Sequence, residues 1–296
     1  MTRRRDSGSG TRDLGSGTRD PGSGIRDSTR RETFPRARKR FGQHFLEPAW
    51  VGKLIDAVAP GRDETFLEIG PGRGALTRPL AERAARVVAV EIDRDLAAAL
   101  TPRLPANVRL VQGDFLEIAV ATLVQGERLP IRVVANLPYN VASPILFRIL
   151  HESAEGRVIR DATLMLQREV ADRLLATPGT ADFGALAIQV GLLADVNRLL
   201  SLPPGAFRPP PRVHSAVVSL RFRPPSFDVG NRAAFERIVR GLFIQRRKTL
   251  LNALKPVADS FGRTAADVIE RAGVDGRRRP GTLTLSEMAR LSRAVL

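Results

Sequence analysis

The chain predicts an α/β fold, a mostly parallel sheet with helices on both faces, followed by a small all-helical region. Three observations carry that prediction. Short apolar runs alternate with helical stretches from residue 48 onward. A glycine-rich turn, Gly70-Pro-Gly72-Arg-Gly74, joins the first run to the next helix. The strand pattern then stops at Arg223-Pro-Pro-Ser-Phe-Asp228, beyond which only helical spacing remains.

Taken in order, residues 5–27 repeat the seven-residue unit RDSGSGT, RDLGSGT, RDPGSGI. No position of the unit holds a sustained apolar residue, so it is not a coiled-coil heptad. Gly, Ser, Arg and Asp bury too little surface to offset chain entropy, and residues 1–38 are expected to be a disordered tail. The basic segment Arg36-Ala-Arg-Lys-Arg40 abuts the folded part and is placed to touch RNA. A helix is expected over Pro48–Val58. Strands are expected over Thr65–Ile69, Val87–Val90, Val108–Val111, Val133–Ala135 and Thr163–Leu166, with helices at Leu76–Ala85, Asp95–Leu104, Pro144–Leu150 and Arg168–Ala176. Leu186–Leu193 and Val213–Phe222 read as two further strands with no full helix between them, suited to antiparallel pairing. Helices follow at Phe235–Phe243, Thr249–Leu254, Ala265–Ala272 and Ser286–Val295, the last opened by a capping box from Thr284 to Glu287. The expected division is tail 1–38, α/β domain 39–223 and helical domain 224–296.

Composition narrows the function classes. The 296 residues are 43% hydrophobic, enough for one good core and a smaller appendage. There is no cysteine and there are three histidines, His44, His151 and His214, so a disulfide framework is excluded and a Cys/His zinc site is not expected. No stretch approaches the roughly 18–20 apolar residues of a membrane span, and no apolar signal core opens the chain; the expectation is a cytoplasmic protein. Net charge is +16. Residues 1–40 carry 12 Lys/Arg against 5 Asp/Glu, so +9 remains on residues 41–296 and favours a polyanionic partner.

The glycine turn follows Glu68-Ile69, and the second strand ends Val90-Glu91-Ile-Asp93, which puts an acid 21 residues after Gly70. An acid there accepts from the two hydroxyls of a ribose. The third strand leads into Gln112-Gly-Asp114, whose carboxylate can accept from an adenine amine. The loop by itself also fits G-x-G-x-x-G/A through Gly70, Gly72 and Ala75, so an NAD oxidoreductase stays open at this point. Asn136-Leu-Pro-Tyr-Asn140, directly after Ile131–Ala135, separates the two. A carboxamide, a peptide oxygen and an aromatic face in succession suit methylation of an exocyclic adenine amine: the amine needs acceptors and the extruded ring needs a flat partner.

Together these segments resemble class I S-adenosylmethionine methyltransferases, and more closely the ribosomal RNA adenine N6-dimethyltransferases of the small-subunit type. The resemblance covers about residues 36–296. Its carriers are Arg40-Phe-Gly-Gln-His-Phe-Leu46, Glu68–Gly72, Glu91–Asp93, Gly113-Asp114, Asn136–Asn140, Leu166-Gln-Arg-Glu-Val170, Phe207-Arg-Pro-Pro-Pro-Arg-Val213 and Phe243-Ile-Gln-Arg-Arg-Lys-Thr249. It implies a Rossmann-like, mostly parallel seven-stranded sheet with a C-terminal helical domain, S-adenosylmethionine as methyl donor, and no metal. Matched residue by residue, it implies cofactor contacts from His44, Leu46, Gly70, Glu91, Asp114 and Asn136. His44 stands where the family commonly has Asn, and His214 where Asp usually follows Pro-Arg-Val. The implied reaction is dimethylation of two adjacent adenosines in the 3′-terminal hairpin loop of small-subunit rRNA. The implied partner is the immature small ribosomal subunit, met by a monomer.

The expected chemistry is positional. A methyl on a sulfonium leaves behind a neutral thioether, so no general acid is needed. Acceptance of the N6 hydrogens by the Asn136 side chain and the Leu137 carbonyl aims the nitrogen lone pair. Pro138 fixes the turn, and Tyr139 stacks on the base, an interaction typically worth ~1–3 kcal/mol. Phe207, beside the triple proline, is the expected partner for the opposite face. Arg246, Arg247 and Lys248 are expected to bind RNA. The competing expectations are a large-subunit dimethylase of the macrolide-resistance type and an assembly factor in which binding outweighs catalysis.

Overall fold

The computed structural model describes residues 34–35, 43–156 and 158–296. The repeat tail, the basic segment Arg36–Arg40 and the start of the Arg40–Leu46 motif lie outside the described residues.

A two-residue strand, β1 (Phe45–Leu46), precedes helix α1 (Pro48–Val58), whose Pro48 opens the helix where its missing N–H costs nothing. Then β2 (Thr65–Ile69), α2 (Thr77–Arg83), β3 (Arg86–Glu91), α3 (Arg94–Leu100), β4 (Val108–Gln112) and the short α4 (Val120–Leu123) follow. They lead to β5 (Ile131–Asn136), α5 (Ala142–Gly156), β6 (Ile159–Gln167) and α6 (Arg168–Leu175). Next come α7 (Ala185–Leu193), β7 (Ala194–Leu202), β8 (Phe207–Arg208) and β9 (Ser215–Phe222). The chain ends in α8 (Arg232–Ile244), α9 (Leu250–Asp259), α10 (Ala265–Ala272) and α11 (Leu285–Val295).

The seven-stranded sheet has the order β4-β3-β2-β5-β6-β9-β7. Strands β2 to β6 run parallel, and β9 lies antiparallel between β6 and β7. The inner parallel strands β3, β2, β5 and β6 are largely buried because helices cover both faces, while the edge strand β4 is only half-buried. On β2, Leu67 and Ile69 face one core while Phe66 faces the other, and Val133 and Val134 divide the same way on β5. The smaller core is closed by α1 and α2 through Leu54, Ile55, Val58, Leu76 and Leu80. The larger one runs without a break from the sheet through α5 and α7 into the buried faces of α8 to α11.

Chain order reverses between β2 and β5, which makes their carboxyl ends a topological switch point, the crevice where open α/β sheets bind ligands. The register is decisive here. Val111, Val90, Ile69 and Ala135 pair in one row across four strands. The next residue on each strand is therefore Gln112, Glu91, Gly70 and Asn136, one row of strand ends along a single rim.

One expected strand is a helix. Leu186–Leu193 lies within α7, and the strand is the following segment, Ala194–Leu202. The helix is apolar on nearly every side because it is wedged among other elements, so its sequence carries no helical period to read. The antiparallel pairing expected for this region does form, between β7 and β9. The capping box also forms: Glu287 N donates to Thr284 Oγ1 at 3.2 Å, and Thr284 N donates to Glu287 Oε2 at 2.7 Å.

Candidate active site

A cavity of about 320 Å³ opens over that rim. Its lining includes His44, Leu46, Gly70, Glu91, Asp114, Asn136, Leu137, Pro138 and Tyr139, so nine of the expected site residues meet in one place.

The glycine turn is shaped by backbone that only glycine adopts easily. Gly70, Gly72 and Gly74 have φ of +72°, +57° and +79°. At Gly70 a Cβ would stand in open space, toward the cavity; at Gly72 it would lie 3.0 Å from the Phe45 ring. Glu91 holds this turn from the neighbouring strand. Its Oε2 accepts from Gly72 N and its Oε1 from Asp93 N, both at 2.9 Å. Burial pushes the Glu91 carboxyl upward, while the Asp93 and Gly72 amides draw it back. Asp93 caps α3, accepting from the Asp95 and Leu96 amides, so it serves the helix rather than the cavity. Asp114 Oδ1 accepts from Leu116 N at 2.8 Å, which fixes the carboxylate at the cavity wall.

At the end of β5, Asn136 Nδ2 donates to the main-chain oxygen of His44 at 2.8 Å. That bond commits the amide nitrogen to one side and leaves Oδ1 as the acceptor on the other. Leu137 is buried, and Pro138 and Tyr139 are partly exposed. The Tyr139 hydroxyl shares a hydrogen bond of 2.6 Å with the buried Ser215 at the start of β9. Its ring faces the His44 imidazole, with centroids 5.8 Å apart and planes inclined by 26°. The His44 Nδ1 is 2.7 Å from the Pro209 carbonyl oxygen.

Phe207 is not brought to this cavity. Its side chain is 1% exposed in the smaller core, on a strand whose Phe207 pairs with Leu46 across β1 and β8. A ring buried in packed side chains has no free face for a base. Arg246, Arg247 and Lys248 lie in the turn between α8 and α9 and are exposed, with Arg246 Nη2 donating to Ala181 O at 2.6 Å. They thus protrude from a turn, not from a helix face.

Several residues in or behind the cavity wall escape a reading of motifs. Ile92 is 46% exposed beside Glu91, an apolar group left facing the cavity. Its position straight after the strand-ending acid is the signal that marks it. Ser215 carries no sequence signal at all, because its link to Tyr139 spans 76 positions. Glu68, on the buried end of β2, also lines the cavity. Its Oε2 and the neighbouring Thr77 hydroxyl are both buried, and the hydroxyl pulls against the effect of that burial on the carboxyl. Burial pushes the Glu68 carboxyl up to about 8, with the nearby Glu91 acting in the same direction.

The comparison with known proteins agrees with this geometry. The family model for ribosomal RNA adenine dimethylase matches residues 35–292. A protein of Pseudomonas aeruginosa named ribosomal RNA small subunit methyltransferase A is 44% identical over 262 residues, 87% of this chain and 94% of its own length. Its namesake in Geobacter metallireducens is 43% identical over 88% of this chain and 96% of its own. Among solved structures, a dimethyladenosine transferase from Plasmodium falciparum superposes with a TM-score of 0.72 at 25% identity, covering 84% of this chain and 96% of that one. The 23S rRNA methyltransferase ErmE gives 0.61 at 27% identity, over 85% and 99%. With a class I methyltransferase sheet, a cavity at its switch point and a family match over nearly all the described chain, the protein belongs to the ribosomal RNA adenine dimethylase family of S-adenosylmethionine-dependent enzymes.

Proposed function

We propose that this protein dimethylates N6 of two adjacent adenosines in the 3′-terminal hairpin loop of small-subunit rRNA, acting as a monomer on the immature small subunit in the cytoplasm. The observation that carries the reading is the rim formed by Gly70, Glu91 and Asn136 at adjoining strand ends, with the Asn136 amide oriented by His44. The relatives named for the small subunit, at 43–44% identity, favour that substrate over the large-subunit one of the 27% identical neighbour.

The cavity residues fit S-adenosylmethionine. Gly70 leaves open space where any other residue would project. When bound, S-adenosylmethionine supplies an electrophilic methyl group on a sulfonium. Gly70 and Leu46 border its site, Glu91 would hold the ribose, Asp114 the adenine amine, and His44 and Asn136 complete the wall. Asn136 Oδ1 and the Leu137 carbonyl accept the two hydrogens of the target amine, while Pro138 holds the turn and Tyr139 supports the base. Residues 39–223 carry this chemistry, and the helical residues 224–296 present Arg246, Arg247 and Lys248 to RNA phosphates.

The test is transfer of labelled methyl groups to undermethylated small subunits, followed by nucleoside analysis. The expected product is N6,N6-dimethyladenosine on small subunits only; label on large subunits instead overturns the assignment. A role in subunit assembly is separable by Glu91→Ala, which should abolish methylation. If that variant fully restores growth to cells lacking the protein, binding outweighs catalysis.

A further inference from the structure

The loop after β4 delivers Asp114 to the cavity, and it is held both from within and from α5. Within it, the Glu117 and Ile118 amides donate to Asp114 O at 3.0 and 3.1 Å. The Ile118 side chain folds back over Gly113 so closely that a Cβ there would stand 2.6 Å from Ile118 Cδ1. From α5, one guanidinium reaches two carbonyl oxygens of the loop. Arg148 Nη1 donates to Leu116 O, and Arg148 Nη2 donates to Ile118 O at 2.8 Å.

We propose that Arg148 is a positioning residue for the cofactor site: by tying the Leu116 and Ile118 carbonyls to α5, it sets the Asp114 carboxylate. Arg148 does not itself line the cavity. The inference rests on the reading of Asp114 proposed above and adds the residue that holds it from behind.

Three observations support it. The link to Asp114 runs through one residue: Leu116 N donates to Asp114 Oδ1 at 2.8 Å, and Leu116 O accepts from Arg148. A shift of that carbonyl therefore reaches the carboxylate directly. The place of Arg148 on its helix is the second observation. Val141 and Ile145 line the cavity, and Arg148 follows Ile145 one turn further along the same face of α5. Because α5 begins just after Asn136–Asn140, Arg148 joins the segment read as holding the target amine to the loop read as holding the cofactor's adenine. Third, the guanidinium is itself held. It lies over the Phe115 ring at 5.6 Å, and its Nη2 is 3.6 Å from Glu152 Oε1 one turn on. A planar fork offers two donors at fixed spacing, which suits two carbonyls two residues apart; a lysine ammonium is a single point.

Arg148→Met keeps an unbranched stem against Phe115 and removes the donors. Its Kd for S-adenosylmethionine, measured by titration calorimetry on the full-length protein, should rise roughly tenfold, the scale of one lost charge-assisted hydrogen bond. Arg148→Lys retains a donor for one carbonyl and should fall between Arg148→Met and the parent. On undermethylated small subunits, KM for S-adenosylmethionine should follow Kd. Turnover at saturating cofactor should stay within about twofold, because Asn136 and Leu137 are untouched. A variant that is merely less well folded lowers the number of sites titrated and leaves their Kd alone. Arg148→Met binding with the parent's Kd, or a loss confined to kcat, overturns the proposal. Asp114→Ala separates the two levels of the inference. If it leaves the cofactor Kd unchanged, the underlying reading of Asp114 falls; if it weakens binding while Arg148→Met does not, only the role of Arg148 falls. The double variant should bind within about threefold of Asp114→Ala alone, since Arg148 acts through that carboxylate. A full second loss in the double variant places the effect of Arg148 elsewhere and overturns the proposal.

Discussion

Gly70 and Gly74 share a positive φ but stand in different surroundings. A side chain at Gly70 points into open space at the cavity, whereas one at Gly74 comes within 2.7 Å of Leu100 Cδ1, a fully buried atom group of α3. Both Ala substitutions carry the left-handed penalty of roughly 1–2 kcal/mol. Gly74→Ala adds overpacking of about 1–3 kcal/mol against Leu100. The expected outcome is a crossed ranking: Gly74→Ala loses more stability in denaturant unfolding, and Gly70→Ala loses more S-adenosylmethionine affinity by calorimetry. Equal losses in both assays from both variants contradict it. The glycine turn itself was legible, because glycines between a strand and a helix have few other uses. The resemblance named Gly70 as the cofactor glycine; what sets Gly74 apart was not legible, because it depends on Leu100, 26 positions away in sequence.

Among the elements, helix α11 shows what local rules capture. Its start is specified within four residues by Thr284 and Glu287, so it can be read without knowing the fold. Thr284→Ala removes the acceptor for Glu287 N and should cost about 1 kcal/mol, a fall of roughly 2–4 °C in Tm for a domain of this size. Thr284→Ser should restore most of the loss, which separates the cap from the lost methyl group. Helix α7 shows where local rules end. Leu186–Leu193 is apolar enough for a buried strand, and only its packing on α5, α6 and α8 makes it helical. The true strand, β7, reads poorly because it is the sheet edge and carries Asp195, Asn197 and Arg198. Phe207, expected to face the base, also owes its position to pairing across the chain. Pairing of β8 with β1 turns that ring into the smaller core.

At the scale of the whole molecule, the sheet separates two acids with opposite responses to pH. Glu64 lies just before β2, at the end away from the cavity; Glu68, four residues on, lies at the cavity. Burial works against ionisation of Glu64, but the Gly61 amide and the Arg132 and Arg160 side chains outweigh it and hold the carboxyl down to about 2. Between pH 4.5 and 2 the unfolded chain takes up a proton that native Glu64 refuses, so stability falls as pH falls. Glu68 has the reverse sign. Its native carboxyl titrates near 8, so between pH 4.5 and 8 the native state keeps a proton that the unfolded chain has released. Stability therefore declines with rising pH, by up to ~1.4 kcal/mol per pH unit for one proton. Glu91, also raised, adds to that limb. The expected profile is a dome with its maximum near pH 4.5, where the two limbs meet. Glu64→Gln should flatten its acid limb and leave the alkaline one in place. Glu68→Gln should raise Tm by an amount that grows from pH 5 to pH 8, without removing the slope that Glu91 contributes. Calorimetric Tm values from pH 3 to 9 at fixed ionic strength decide the matter, and a Glu68→Gln profile parallel to the parent's would show that this carboxyl ionises normally in the fold. A neutral Glu68 at working pH would place one O–H donor, not a second negative charge, beside Glu91 at the cofactor site.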